Sequence, residues 1–85
     1  MDISFQSTAY NDFIEWSEKD RKTFSRINKL IKETMRTPFE GIGNPEPLKY
    51  SQSGYWSRQI TSEHRLVYEA TEEIIIIISC KGHYT

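Results

Sequence analysis

Five isoleucines stand in a row, Ile74 to Ile78. Their β-branched side chains are stiff and favour a strand over a helix. The run is far shorter than the roughly twenty apolar residues that cross a bilayer as a helix. A strand covered on both faces is what such a run predicts. It closes a series of three segments rich in aromatic and β-branched residues: Tyr55 to Thr61, His64 to Thr71 and Ile74 to Cys80. Thr61-Ser62-Glu63 and Thr71-Glu72-Glu73 read as the turns between them. Links this short favour antiparallel pairing.

The N-terminal half has a different period. Ile3 and Phe5 alternate with Asp2 and Ser4, as in a short strand. Ser7 can cap a first helix over residues 8–18, where Tyr10, Phe13, Ile14 and Trp16 cluster. Asp20 can cap a second helix, in which Phe24, Ile27, Leu30, Ile31 and Met35 form one apolar stripe. Pro38 ends it, because the residue before a proline is pushed out of the helical region. Residues 37–48 then hold all three prolines and two of the four glycines, which predicts a long ordered loop of the kind that often carries function. With 85 residues, the chain makes one domain, residues 1–85. The expected class is α+β, an antiparallel sheet with two N-terminal helices packed on one face.

Composition removes several functions. The single cysteine, Cys80, cannot form an internal disulfide, and two histidines without a Cys-x-x-Cys pair do not suggest a structural zinc site. No metal or other cofactor is expected, nor a membrane partner. The first residues carry no basic region followed by an apolar stretch, so the cytoplasm is the expected location. A pI near 6.1 conceals an uneven charge distribution. From Lys19 to Arg36, seven basic residues stand against two acidic ones, whereas the first eighteen residues hold four acids and no base. One basic helix, with Lys22, Arg26 and Lys29 on it, can meet a polyanion from one side, although the same charges also suit a plain solvated surface.

The chemistry-bearing residues sit where a structural role is least obvious. Glu46 lies between Pro45 and Pro47, with Lys49 three residues on. Arg65 interrupts an apolar strand, and by period two it shares a face with Val67, opposite Leu66 and Tyr68. Lys81, His83 and Tyr84 close the sequence, and Lys81 and His83 point the same way if the last strand continues. This inventory suits metal-independent cleavage of RNA, whose ribose 2′-OH supplies the nucleophile. The protein then needs a base, an acid and cations for the charge that grows on phosphorus. Each residue also has an ordinary reading. Glu46 and His83 can be surface groups, Lys49, Arg58 and Lys81 surface charges, and Arg65 an ion-pair partner of Glu63 or Glu69.

The blocks Arg36-Thr37-Pro38-Phe39-Glu40-Gly41, Gly43-Asn44-Pro45-Glu46-Pro47-Leu48-Lys49, Ser53-Gly54-Tyr55-Trp56-Ser57-Arg58 and Glu63-His64-Arg65-Leu66-Val67-Tyr68, with the final His83-Tyr84, add a further constraint. Nearly end to end, the chain resembles the YoeB/Txe toxins of the RelE-like superfamily. The resemblance implies a RelE-like (microbial RNase-like) fold and the toxin of a type II toxin–antitoxin pair. It further implies an endoribonuclease that cuts mRNA at the A-site codon of the 70S ribosome. On that basis Glu46 would be the general base, His83 the general acid, Arg65 the transition-state cation and Tyr84 an orienting residue. Lys49, Arg58 and Lys81 would assist phosphate binding, and Lys22, Arg26 and Lys29 would meet the ribosome. The implied partners are a YefM/Axe-like antitoxin, operator DNA through that antitoxin, and a second copy in a homodimer. Thr85, Gln59 and Tyr50 depart from the family pattern. Thr85 and Gln59 best support a homologue that binds ribosome or antitoxin without cutting, and a nuclease that works without the ribosome is a third reading.

Overall fold

The computed structural model describes residues 1–49 and 54–82. The elements, in chain order, are β1 (Asp2–Phe5), α1 (Ser7–Lys19), α2 (Arg21–Arg36), β2 (Glu46–Pro47), β3 (Tyr55–Gln59), β4 (Arg65–Ala70) and β5 (Ile74–Ser79). The five strands form one sheet in the order β1-β5-β4-β3-β2. β5 to β2 are antiparallel neighbours, while β1 joins the free side of β5 in parallel. The sheet is therefore mixed. The isoleucine strand lies second from an edge, and β4 is the central strand.

One face of the sheet carries the core. Leu66, Tyr68, Ile75 and Ile77 are fully buried against Ala9 of α1 and Ile27, Leu30 and Ile31 of α2. The expected stripe of α2 is thus the face that packs on the sheet. Ile74 and Ile76 alternate with the core residues and are only half-buried. Cover is complete on the helix face and partial on the other, in place of the two-sided burial expected of the run. Val67 pairs with Ser79 and Tyr68 with Ile77, so Ile78 is an extra residue, a β-bulge in β5. That offset lets Ile77 and Ile78 both be buried in sequence.

The helix ends show which local signals prevail. Asp20 ends α1, its N–H donating to the Trp16 carbonyl, and caps α2 by accepting from the Thr23 N–H (3.1 Å) and hydroxyl (2.8 Å). Those bonds hold its carboxyl below the ordinary range. Ser7, by contrast, is not the cap of α1. Gln6 takes that position with extended backbone and no side-chain cap bond. The reason lies in the sheet: the Gln6 N–H donates to the Ile77 carbonyl at 3.0 Å, extending the β1–β5 pairing to the doorstep of the helix.

The proline-rich segment departs most from expectation. It ends as a short edge strand, with Glu46 opposite Ser57 and Pro47 opposite Trp56. Proline lacks an N–H and is tolerated at a sheet edge, and two residues give no readable alternation. Before it, Gly43 (φ 82°) passes so near the core that an added Cβ would lie 2.8 Å from Leu30 Cδ2 and 3.1 Å from Arg58 Cβ. Only glycine fits both that conformation and that approach. The Gly43 carbonyl accepts from the Gln59 N–H at 2.7 Å and binds the segment to β3.

Candidate functional site

The sheet face turned away from the helices brings two of the sequence candidates together. Edge strand β2 presents Glu46, and the first residue of β4 presents Arg65, with β3 between them. Arg65 Nη1 donates to Glu46 Oε1 at 3.2 Å and approaches the Ser57 hydroxyl at 3.4 Å. Ser57 and Val67 are fully buried beneath the pair. The Arg65 side chain is 23% exposed and that of Glu46 51%. The carboxylate partner of Arg65 is thus Glu46, from another strand, and not Glu63 or Glu69. Such a pair contributes little stability, about 0–1 kcal/mol at a half-exposed position. It does set a carboxylate and a guanidinium side by side at the solvent. Lys49 is exposed, three residues after Glu46.

The C-terminal segment approaches the same place. The Arg65 N–H donates to the Gly82 carbonyl at 3.0 Å, and the Gly82 N–H donates to His64 Nδ1 at 2.8 Å. The polypeptide just before His83 is therefore fastened to the backbone of Arg65. His83 and Tyr84 themselves lie outside the described residues.

Two candidates turn elsewhere. Arg58 sits opposite Leu66, on the core face, and is fully buried. Its guanidinium donates to Tyr68 Oη (3.2 Å) and to the carbonyls of Ile42 (2.9 Å), Glu40 (3.0 Å) and Thr37. It is a bolt between the sheet and the segment after α2, not a phosphate ligand, because neutral oxygens occupy its donors and no solvent reaches it. Lys81 lies beyond the end of β5, so strand parity no longer governs it. Its Nζ pairs at 3.0 Å with Glu15 of α1. Each group stabilises the other's charge, lowering the glutamate pKa and raising that of the lysine. Lys81 therefore belongs to a contact with α1 and not to the Glu46–Arg65 pair.

On α2, Lys22 and Lys29 are exposed, and Arg26 reaches back to the Gln59 carbonyl at 3.2 Å. The helices occupy the other side of the sheet, so this basic surface and the Glu46–Arg65 pair face different directions, bridged at one end by Arg26. Pattern reading passed over His64 and Trp16. His64 accepts from Gly82 and packs edge-on against Trp16, with ring centroids 4.9 Å apart. Trp16 looked like one more core aromatic, and only the fold brings together residues so distant in the chain.

The chain has close counterparts among known proteins. Residues 5–84 match the family described as YoeB-like toxin of bacterial type II toxin-antitoxin system. Toxin YoeB of Escherichia coli strain K12 is 49% identical over 84 residues, spanning 99% of this chain and 100% of the relative. Among solved structures, the YoeB dimer from Staphylococcus aureus superposes with a TM-score of 0.92 at 44% identity, covering 99% of this chain and 98% of that one. The YoeB-YefM complex from Staphylococcus aureus gives a TM-score of 0.91 at 42% identity with the same coverage. The family match over residues 5–84, the identity over nearly the whole length and the shared fold lead to one conclusion: the chain belongs to the YoeB-like toxins of bacterial type II toxin–antitoxin systems.

Proposed function

We propose that this toxin is an endoribonuclease that cuts mRNA in the A site of the ribosome, with the RNA's own 2′-OH as nucleophile. The observation that carries the reading is the Glu46–Arg65 pair, exposed at the sheet edge beside the point where the chain leads into His83. Glu46 takes the 2′-OH proton as the O2′–P bond forms. His83 gives a proton to the 5′-oxygen as the P–O5′ bond breaks. The products are a 2′,3′-cyclic phosphate and a 5′-hydroxyl, and no water or cofactor is consumed. Arg65 stabilises the phosphorane-like transition state. Its pairing with Glu46 suits that role: once the carboxylate is protonated its hold on the guanidinium weakens, just as negative charge accumulates on the phosphoryl oxygens. Tyr84 orients the substrate, and Lys49 adds a cation at the exposed end.

The ribosome supplies what so small a sheet edge lacks, a strand held bent for in-line attack. Lys22, Arg26 and Lys29 meet rRNA phosphates with the helix side while the opposite face works on the message. The relatives from Staphylococcus aureus form a dimer and a complex with YefM. By that likeness this chain pairs with itself and with a YefM/Axe-like antitoxin, which carries the complex to operator DNA. The reaction is placed in the cytoplasm.

The test is to map the 5′ ends of mRNA on programmed ribosomes with the wild type and the Glu46→Ala and His83→Ala variants. Cuts within codons that disappear in both folded variants support the reading. Translation that stops with uncut messages assigns a binding role in its place, and cuts that persist in both variants remove these residues from the mechanism.

A further inference from the structure

The segment between the β5 bulge and His83 is unusually well held for so short a stretch. The Trp16 Nε1–H donates to the Cys80 carbonyl at 2.9 Å, and the Cys80 thiol approaches the Ala9 carbonyl at 3.4 Å. Lys81 pairs with Glu15. Gly82 has both its backbone groups bonded, the N–H to His64 Nδ1 and the carbonyl to the Arg65 N–H. Gly82 is the residue that immediately precedes His83 in the sequence.

His64 is itself rigidly placed. Its carbonyl accepts from the N–H groups of Ile60 (2.9 Å) and Thr61 (3.1 Å), and its own N–H donates to Thr61 Oγ1 at 3.2 Å. The Trp16 ring stands edge-on to the imidazole. Accepting at Nδ1 also fixes the tautomer, with hydrogen on Nε2 in the neutral ring. A half-buried histidine next to Arg65, spent on a distant backbone amide, contributes nothing to the Glu46–Arg65 pair directly. It sets where the tail begins.

We infer that His64 is a positioning residue for the cleavage reaction. By holding Gly82 at Nδ1 against the Trp16 ring, it fixes the take-off point of His83 relative to Arg65 and Glu46. The inference rests on the ribonuclease reading. Catalytic groups must be held close to their productive geometry, and displacements near 1 Å can cost about 10²-fold in rate.

Asparagine places its side-chain oxygen near the position of Nδ1, whereas leucine fills the space without an acceptor. In the His64→Leu variant, single-turnover cleavage at saturating ribosomes is expected to fall by about 10- to 100-fold, with ribosome affinity unchanged. His64→Asn should restore most of the rate. The second readout is hydrogen exchange at the Gly82 amide, slow in the wild type and His64→Asn and fast in His64→Leu. A protected Gly82 amide in His64→Leu overturns the clamp. An exposed amide with full cleavage overturns the positioning role. Should His64→Leu not fold, His64→Gln serves instead, since its carbonyl lies one bond too far: a rate and protection equal to those of His64→Asn would also overturn the proposal. A wild type that cuts no message sinks the ribonuclease reading, while the exchange data still judge the clamp separately.

Discussion

Arg58 and Arg65 sit on neighbouring strands, one register step apart, and have opposite fates. Arg58 pairs with Leu66 and turns into the core, whereas Arg65 pairs with Gln59 and turns to the outer face. The first spends its donors on three carbonyls and a phenol. The second meets a half-exposed carboxylate. The contrast is one of partners as much as of depth. Neutral acceptors that need those donors make the cation a structural member, while a carboxylate that can itself be protonated leaves the cation able to change partners.

The largest expected effect separates the two by stability. Arg58→Ala strips the donors from buried oxygens and should cost about 3–5 kcal/mol in urea unfolding, much of the margin of so small a domain. Arg65→Ala should change stability by less than about 1 kcal/mol yet lower cleavage by about 10²–10³-fold. Equal stability losses in the two would break the comparison. Next, Glu46→Gln keeps shape and removes the base, so cleavage should fall by about 10²–10⁴-fold with the melting curve almost unmoved. A smaller effect sharpens the core side. The Tyr68 hydroxyl donates to the Pro38 carbonyl at 2.6 Å and accepts from Arg58 Nε. Tyr68→Phe should cost about 1–3 kcal/mol, less than Arg58→Ala, with cleavage by the folded fraction unaltered.

The smallest concerns the titration of Cys80, also on the core side. Burial, assisted by the charge of Asp12, pushes its thiol up to about 12. The unfolded thiol ionises near 8.5. Its contribution to stability is therefore whole below about pH 8.5 and is lost as the pH rises toward 12. Alkylation at pH 8.5 should be fast in urea and very slow in the native protein. Rapid alkylation of the native protein would show that the core face is less closed than Arg58 requires.

Much of this was legible in the sequence, for identifiable reasons. The Ile27–Leu30–Ile31 stripe, the Asp20 cap and both short turns are local signals, and each is present. The parallel seat of β1 against β5 was not legible, because it depends on a pairing across almost the whole chain. β2 is too short for periodicity to register. For Arg58 the cue was there: it shares parity with Trp56, and the register with Leu66 puts it on the inner face. What hid its role is that its acceptors are backbone carbonyls of residues 37–42, which no side-chain pattern announces. Glu46 and Arg65 were singled out by residue type as base and cation, and the fold brings them together. His64 escaped because its partner Gly82 lies in a segment with no periodicity of its own.

The bulge at Ile78 has a consequence for how this gene can drift. Losing one isoleucine from the run would leave hydropathy and strand preference almost untouched. It would also remove the extra residue of the bulge, so that Ile77 opposite Tyr68 could be followed directly by Ser79 opposite Val67, with the facing of Ser79 unchanged. A four-isoleucine allele should therefore keep the tail on its present side, whereas a sixth isoleucine paired in register would exchange inward for outward from Ser79 on. Tolerance to length in that stretch is thus one-sided, and gaining a residue is the change that purifying selection must police.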